Sequence, residues 1–243
     1  MAVTNEKTVS DAIEYRRSVR VFKKEPIDEQ KVKECIRLAT LAPTSSNMQL
    51  WEFYHIISPE IIKHIAIASF NQNGANTAQQ IVVIVARKDL WKKRVQANIS
   101  FLKAQFGNKS EFSKTENFAL NYYQKTVPNL YDDVLGIVGR IKYISFQIIG
   151  LFRPVYRQTR ASDMRIVANK SAGLAAQNFM ISMAAINYDT CPMEGFDSLR
   201  IKKILHLPDS AEINMLIGCG IREEIGVYGE RFRVPFEEVY FKI

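Results

Sequence analysis

The fold is decided by the stretch QIVVIVAR, residues 80–87, whose centre is an unbroken run of β-branched apolar side chains. The run lacks the alternation of polar and apolar residues that marks a strand with one solvated face. It is therefore typical of a strand that is buried on both faces. A strand of this kind needs a layer of helices or strands against each side of its sheet.

Segments on both sides of this run supply further strands and the helices to cover them. We predict strands over 52–58 and 213–221 and a strand-like end over 235–243, whereas DTCPMEGFD, residues 189–197, is predicted as a loop. Helices are predicted from capping residues Thr8, Asp28, Ser58, Ser113 and Ser162, with others over 89–106 and around 199–205. The helices that follow Asp28, Ser113 and Ser162 are expected to run to about Leu41, Thr126 and Asn187.

The order of these elements predicts one α+β domain over residues 1–243. No internal repeat, low-complexity segment or linker rich in Pro, Gly and Ser divides the chain. Residues 92–161 are predicted to be a mostly helical insertion, within which the pattern over 127–161 is mixed. The apolar run 141–152 is too short to span a bilayer and is interrupted by Lys142 and Gln147.

The composition narrows the classes of function without choosing one. The 243 residues carry a formal net charge of +8, which favours anionic ligands, nucleic acid or acidic membrane surfaces. A basic nucleic-acid-binding module is one alternative, although no known binding motif accompanies the charge. The three histidines show no HExxH spacing and no carboxylates cluster near them, so we expect no metal site.

Two features favour the cytoplasm. Cys35, Cys191 and Cys219 are far apart and form no CxxC pair, which indicates free thiols in a reducing compartment. The opening residues MAVTNEKTVSDAIEY contain no apolar core of a secretion signal.

Four short stretches of the chain are informative as a set. They are RRSVRVF at 16–22, APTSSNMQLWEF at 42–53, CPMEGFD at 191–197 and ERFRVPFEEV at 230–239. Taken together, in this order and spacing, they resemble the nitroreductase family of FMN-dependent oxidoreductases. The resemblance covers nearly the whole chain except about 92–161.

This resemblance implies a fold and an activity. The fold would be α+β, with a central, mostly antiparallel sheet surrounded by helices, in an interlocked homodimer whose C-terminal segment reaches onto the partner. Each FMN site would be built from both chains. The activity would be hydride transfer from NAD(P)H through flavin N5 to an electron-poor small molecule, such as a nitroaromatic, a quinone or an activated alkene, in two steps.

The resemblance also assigns the basic residues. Arg16, Arg17 and Ser18 would bind phosphate and ribityl oxygens, Arg20 would approach the pyrimidine edge of the flavin, and Arg231 and Arg233 would close the phosphate pocket. Forked, permanently charged guanidinium groups suit a phosphate dianion. Alternatively, residues 16–20 are only a basic helix end exposed to solvent, without a binding function.

The remaining assignments concern the ribityl chain and the ring. The resemblance places Pro43, Thr44, Ser45, Ser46, Asn47, Gln49 and Asn71 along the cofactor, partly from the partner subunit. It places Pro192 and Met193 on the ring face, the backbone N–H of Glu194 near flavin N5, and Gly195 where the backbone must come close to the ring. No catalytic side chain is assigned, and Gly74 and Ala75 stand where many relatives have a second basic residue.

Several alternatives stay open at this point. Within the family, a deiodinase-like or flavin-cleaving activity would use the same fold. Without the family context, 43–49 is a polar turn and 191–197 an ordinary loop. The apolar run 141–152, flanked by cations, either covers the flavin pocket or dimer interface or lies on a membrane surface.

Overall fold

The computed structural model of the chain describes residues 6–107, 109, 111–132 and 137–243. Its centre is a four-stranded sheet with the order β1-β2-β4-β3, in which every neighbouring pair is antiparallel. The strands are β1 (Trp51–Ile56), β2 (Gln80–Ala86), β3 (Asp189–Met193) and β4 (Glu212–Gly220). Every residue of β2 is buried, so the prediction from QIVVIVAR is confirmed.

Ten helices are described around this sheet. They are α1 (Val9–Tyr15), α2 (Glu29–Ala39), α3 (Pro59–Ala68), α4 (Asn73–Asn76), α5 (Trp91–Phe106), α6 (Lys114–Asn121), α7 (Val127–Tyr131), α8 (Ile137–Ile149), α9 (Ala161–Ala185) and α10 (Ser198–Ile204). The predicted caps Thr8, Asp28 and Ser58 each accept hydrogen bonds from the first turn of their helix.

Successive residues of β2 point into two separate cores, as the strand period requires. Val82 and Ile84 face a core that contains side chains of α2 and of the central helix α9. Ile81, Val83 and Val85 face a second core built with α3 and α10. The sheet is thus covered by helices on both sides, which confirms the predicted α+β class with an antiparallel sheet.

Four local predictions were wrong or incomplete. Residues 189–193, predicted as part of a loop, form the edge strand β3 because β4 offers them a partner. The long helix is capped at Arg160, whose backbone N–H donates to Asp163, and Ser162 lies inside it. The predicted helix 113–126 is instead α6, a π-helical turn over Tyr122–Thr126, and α7.

The predicted strand-like end is the fourth difference. Residues 235–243 form a single short 3-10 turn, Phe236–Glu238, and otherwise extended chain. A strand needs a neighbour for its backbone hydrogen bonds, and one chain supplies none to this segment in the described structure.

The mixed segment 127–161 is helical over most of its described length, through α7 and α8; residues 133–136 lie outside the described part. Within the described residues, no helix combines the length and the apolar content needed to cross a bilayer.

Candidate functional site

Five arginines meet at the end of α1. They line one cavity of about 360 Å³ that is bounded by Arg16, Arg17, Ser18, Arg20, Val227, Tyr228, Glu230, Arg231, Phe232 and Arg233. Two stretches more than two hundred residues apart in sequence, 16–20 and 231–233, therefore line one basic pocket. Glu230 is the single carboxylate among these lining residues.

Backbone oxygens, and not carboxylates, hold the arginines in place. Arg231 Nη2 donates to the carbonyl oxygens of Glu14 (2.7 Å) and Arg16 (2.6 Å) at the C-terminal end of α1. Arg17 Nη2 donates to the carbonyl oxygen of Gly229 (2.9 Å). Cations at a helix C-terminus satisfy its free carbonyl groups. In the described part of the chain, none of the five arginines forms an ion pair.

The charge in this pocket is consequently unbalanced. Partial burial lowers the pKa of the Arg16 guanidinium from its ordinary value, and repulsion from Arg231, Arg233 and Arg17 lowers it further. Both causes disfavour the charged form of Arg16. Because a guanidinium stays protonated in proteins, the pocket keeps its excess positive charge and attracts an anion.

The basic pocket is attached directly to edge strand β3. Ser18 forms a β-bridge with Thr190, and Val19 N–H donates to the Thr190 carbonyl oxygen (3.0 Å). On the other side, Arg20 N–H donates to the Gly226 carbonyl oxygen (2.7 Å). The residues that follow β3, Glu194 and Gly195, are exposed beside this arrangement.

A partly buried ion pair between Asp189 and Arg222 holds β3 next to the end of α1. Asp189, at the start of β3, accepts hydrogen bonds from the backbone N–H of Arg222 (2.9 Å) and from its guanidinium Nε (2.8 Å). The Arg222 guanidinium lies 4.1 Å from the centre of the Tyr15 ring and donates to the Tyr15 carbonyl oxygen. The residue before Arg16 is thus tied to the strand that leads to Glu194.

The turn around Asn71 meets the segment after β3. Asn71 has a positive φ of 54°, which asparagine tolerates better than most residues. The next side chain, Gln72, donates through Nε2 to the carbonyl oxygens of Ser69 (3.1 Å) and Gly195 (2.6 Å). A Cβ atom on Gly195 would lie 3.3 Å from Gln72 Nε2, a tight contact that would require a small shift of the Gln72 side chain.

Tyr228 joins the turn to the arginines. Its hydroxyl accepts a hydrogen bond from Asn73 Nδ2 (3.1 Å), and its ring centre lies 5.5 Å from the guanidinium carbon of Arg20. Sequence reasoning did not single out Tyr228 or Gln72. The sequence gives only weak indications that these two residues belong to the site. Tyr228 lies two residues before the ERFRV stretch, and Gln72 lies within a run of Asn and Gln.

Gly74 and Ala75 are buried beneath β3. A Cβ atom on Gly74 would lie 2.9 Å from Cys191 Sγ and 3.3 Å from Met193 Sδ. Burial also raises the pKa of the Cys191 thiol. A basic side chain at position 74 would therefore have no room in this structure.

The polar turn 43–49 lies elsewhere in the chain. Residues 45–47 form a 3-10 turn in which Ser46 and Asn47 have positive φ values of 53° and 49°. The Ser46 hydroxyl is 2.7 Å from the Tyr122 hydroxyl, and Asn47 Nδ2 donates to Asn98 Oδ1 (3.1 Å). Pro43, Thr44, Ser45 and Gln49 complete the turn, and none of these residues lines the arginine pocket.

The two groups of predicted site residues occupy opposite edges of the sheet. The polar turn leads into β1, at one edge, whereas Pro192 and Met193 belong to β3 at the other. Two strands lie between them, which corresponds to a separation of about 14 Å at the usual strand spacing. One chain therefore brings together the arginines, Asn71 and 192–195, and it keeps 43–49 apart from them.

Comparisons with known proteins agree with this architecture. The family model described as "Nitroreductase family" matches residues 13–221. Protein DrgA from Synechocystis sp. is 26% identical over 218 residues, which is 88% of this chain and 84% of the relative.

Two solved structures show the same fold. A "putative NAD(P)H:FMN oxidoreductase" from Staphylococcus epidermidis has a TM-score of 0.72 at 21% identity, covering 100% of this chain and 99% of that one. A "putative nitroreductase" from Exiguobacterium sibiricum, solved in complex with FMN, has a TM-score of 0.67 at 20% identity and covers 98% of both chains. Since the family model spans most of the sequence and the fold agrees throughout, the chain belongs to the nitroreductase family.

Proposed function

We propose that this protein is an FMN-dependent oxidoreductase that uses NAD(P)H as its reductant. The observation that carries the proposal is the pocket of five arginines without carboxylate partners, next to the β3–α10 connection. Two structural relatives support the cofactor, since one is described as an NAD(P)H:FMN oxidoreductase and another was solved with FMN.

The pocket fits the phosphate end of FMN in charge and in donor type. A phosphate dianion accepts paired hydrogen bonds from guanidinium groups. Arg16, Arg17, Arg231 and Arg233 would hold the phosphate, and the exposed Ser18 hydroxyl would donate to a phosphate or ribityl oxygen. The bonds of Arg17 and Arg231 to backbone oxygens preset both guanidinium groups before a ligand arrives.

Other residues of this chain would hold the ring. Arg20, kept beside the Tyr228 ring, would face the pyrimidine edge of the flavin, and Asn71 would contact it from the neighbouring turn. Pro192, which is half-buried, would pack against the ring, and the backbone N–H of Glu194 would donate to N5. Met193 was predicted on the ring face as well, but its side chain points the other way, as strand alternation requires, and is 4% exposed in the core with α3 and α10. When bound, the flavin supplies the centre that accepts and returns a hydride.

We further propose that the site is completed by a second copy of the chain. The polar turn 43–49 would reach the flavin from the partner, because the width of the sheet separates it from β3 in one chain. The exposed C-terminal segment supports this arrangement: Phe232, Phe236 and Phe241 are 79%, 65% and 75% exposed in a single chain. Aromatic side chains so exposed along one segment indicate a partner surface.

The proposed acceptor is a small electron-poor molecule, such as a nitroaromatic, a quinone or an activated alkene. The proposed location is the cytoplasm, where NAD(P)H is available and where Cys35, Cys191 and Cys219 remain free thiols, as they are in the structure.

The absorption spectrum of the purified protein tests the cofactor. The protein, reconstituted with FMN and desalted, should keep the flavin bands, and these should bleach anaerobically when NADH or NADPH is added. A colourless protein that cannot take up FMN would refute the proposal. Turnover of a quinone with one NAD(P)H consumed per quinol formed, or of a nitroaromatic with two NAD(P)H consumed per hydroxylamine formed, would separate a reductase from a deiodinase-like or flavin-cleaving enzyme.

Light scattering after size exclusion tests the shared site. The full chain should elute as a dimer of 27.8 kDa subunits. A variant that ends at Arg233 should lose both the dimer and most of the bound FMN while keeping its helical circular dichroism. A full-length monomer that binds FMN tightly would contradict the shared site and leave the flavin assignment intact.

A further inference from the structure

Helix α8 carries a continuous apolar face that no described part of the chain covers. Ile141, Ile144 and Ile148 are 61%, 59% and 56% exposed, and Leu151 and Phe152, just after the helix, are 77% and 84% exposed. The spacing i, i+3, i+7 places the three isoleucines on one side of the helix. The three isoleucines form an apolar ridge about 11 Å long, at 1.5 Å per helical residue, which Leu151 and Phe152 extend.

The opposite side of α8 is fixed to the chain by polar contacts. Lys142 Nζ donates to the Asn129 carbonyl oxygen (2.7 Å), and Arg157 Nη1 donates to Gln147 Oε1 (2.7 Å). The Arg160 guanidinium lies 4.6 Å from the centre of the Tyr143 ring. These contacts determine which side of the helix faces outward, so the exposure of the isoleucines follows from the way α8 is attached.

Cations outnumber carboxylates around the ridge, where Asp163 is paired with Arg160 and Asp132 precedes α8. Residues 134–162 contain five cations, Arg140, Lys142, Arg153, Arg157 and Arg160, and no aspartate or glutamate. Arg140 and Arg153, at the two ends of the ridge, are both exposed and form no ion pair within the described residues. An apolar strip with a cation at each end is complementary to a surface with anionic groups above an apolar layer.

We propose that α8 and residues 150–153 dock the protein on an anionic lipid bilayer. The helix is too short to span the bilayer and would lie in the interfacial plane, with the isoleucines and Phe152 among the acyl chains. Arg140 and Arg153 would reach the headgroup phosphates. A second copy packed ridge against ridge is a poorer occupant, because it would bring the unpaired Arg140 and Arg153 of the two chains close to one another.

Sedimentation with vesicles tests the proposal on the purified, FMN-loaded full chain. Wild-type protein should sediment with vesicles of phosphatidylcholine and phosphatidylglycerol mixed three to one, and much less with phosphatidylcholine alone. Ile148→Asp should weaken this binding at least about tenfold, since an apolar anchor is lost and an anion is placed at the membrane. Ile144→Asp provides a second test at an equally exposed position.

Control variants distinguish binding through the ridge from the effect of a new negative charge elsewhere on the surface. Ile67→Asp, which changes a 50% exposed isoleucine on α3, should bind the vesicles like wild type. Arg140→Gln and Arg153→Gln should each weaken binding about fivefold in low salt, the effect of one cation near an anionic surface. Circular dichroism and the flavin spectrum should be unchanged in all variants.

Three results would overturn the proposal. The first is failure of the wild type to sediment with anionic vesicles. The second is equal binding by wild type and both aspartate variants. The third is conversion of a dimer to a monomer by Ile148→Asp, which would show that a second copy covers the ridge.

Discussion

Replacement of Arg231 by alanine should weaken FMN binding through the phosphate alone. In the structure one terminal nitrogen of Arg231 is used by the carbonyl oxygens of Glu14 and Arg16. The other guanidinium nitrogens form no hydrogen bond with any residue that the structure describes, so they are available to a ligand. A hydrogen bond to a charged group contributes about 1.5–3 kcal/mol, so its loss should raise the FMN dissociation constant about 10- to 150-fold.

The structure sets where in this range the effect should fall. Arg231 is exposed in a single chain, and exposed charge pairs contribute near the lower limit because water screens them. Coverage of the pocket by a partner chain would move the loss toward the upper limit. Removal of Arg231 also relieves its repulsion of Arg16, which offsets part of the loss.

Titration of flavin fluorescence with FMN and with riboflavin measures this effect. Riboflavin lacks the phosphate, so Arg231→Ala should leave its affinity unchanged. Arg37→Ala, which removes an arginine paired with Glu34 on the surface of α2, should change neither affinity. An equal loss of FMN and riboflavin binding by Arg231→Ala would show that Arg231 only supports the fold, and an unchanged FMN affinity would refute the phosphate pocket.

Three further predictions concern pH and packing. FMN affinity should fall about tenfold as the pH is lowered from about 7.5 to about 5, because the phosphate loses its second charge near pH 6; riboflavin affinity should stay flat in the same titration. Gly218→Ala should lower the free energy of unfolding in urea by about 1–3 kcal/mol, since its methyl group would collide with the Gly74 carbonyl oxygen. Gly173→Ala, with no neighbouring atom within 4 Å, should not be destabilised. Burial raises the pKa of the Cys35 thiol from 9.0 to about 12, so the thiol ionises more readily in the unfolded chain. The free energy of unfolding should therefore fall as the pH rises above 9. Between neutral pH and pH 10 it should fall by about 1 kcal/mol less in Cys35→Ala than in wild type, as measured by denaturation at each pH.

Local interactions explain which parts of the fold the sequence predicts. The caps Thr8, Asp28 and Ser58 accept hydrogen bonds from backbone N–H groups in the first turn of their own helix. The capping residue and the group it binds are therefore only a few residues apart in sequence. The burial of β2 likewise follows from the β-branched apolar residues within 80–86. Prediction succeeded where the cause of the structure lies within the segment itself.

Distant partners explain the failures. The strand β3 contains Pro192, which cannot donate to a sheet and is tolerated at an edge; β3 exists because β4 pairs with it. The predicted strand at 235–243 is the converse case, with a suitable pattern and no neighbouring strand in one chain. The cap at Arg160 was missed because the Asp163 carboxylate reaches back to its backbone N–H, whereas Ser162 offered the more familiar side chain.

The arginine pocket could not be predicted from local sequence patterns. No periodicity connects residues 16–20 with 231–233, and the bonds from Arg231 to Glu14 and Arg16 became visible only in the folded chain. The resemblance to a family was what brought the two stretches together beforehand. The role of Gln72, whose amide bonds to Gly195, depends on a contact across more than a hundred residues that neither source predicted.

The geometry of the site links cofactor binding to chain pairing. In a single chain, like charges in the arginine pocket oppose one another, the polar turn 43–49 lies across the sheet, and the aromatic C-terminal segment faces solvent. In the proposed assembly, a bound anion would relieve the first of these features, and a second chain would relieve the other two. Because the C-terminal segment begins at Arg231 and Arg233, the residues that would hold the phosphate also start the segment that would reach the partner. If both proposals hold, an anion that orders these arginines would also order the C-terminal segment, and by thermodynamic linkage the partner chain would strengthen cofactor binding to the same extent.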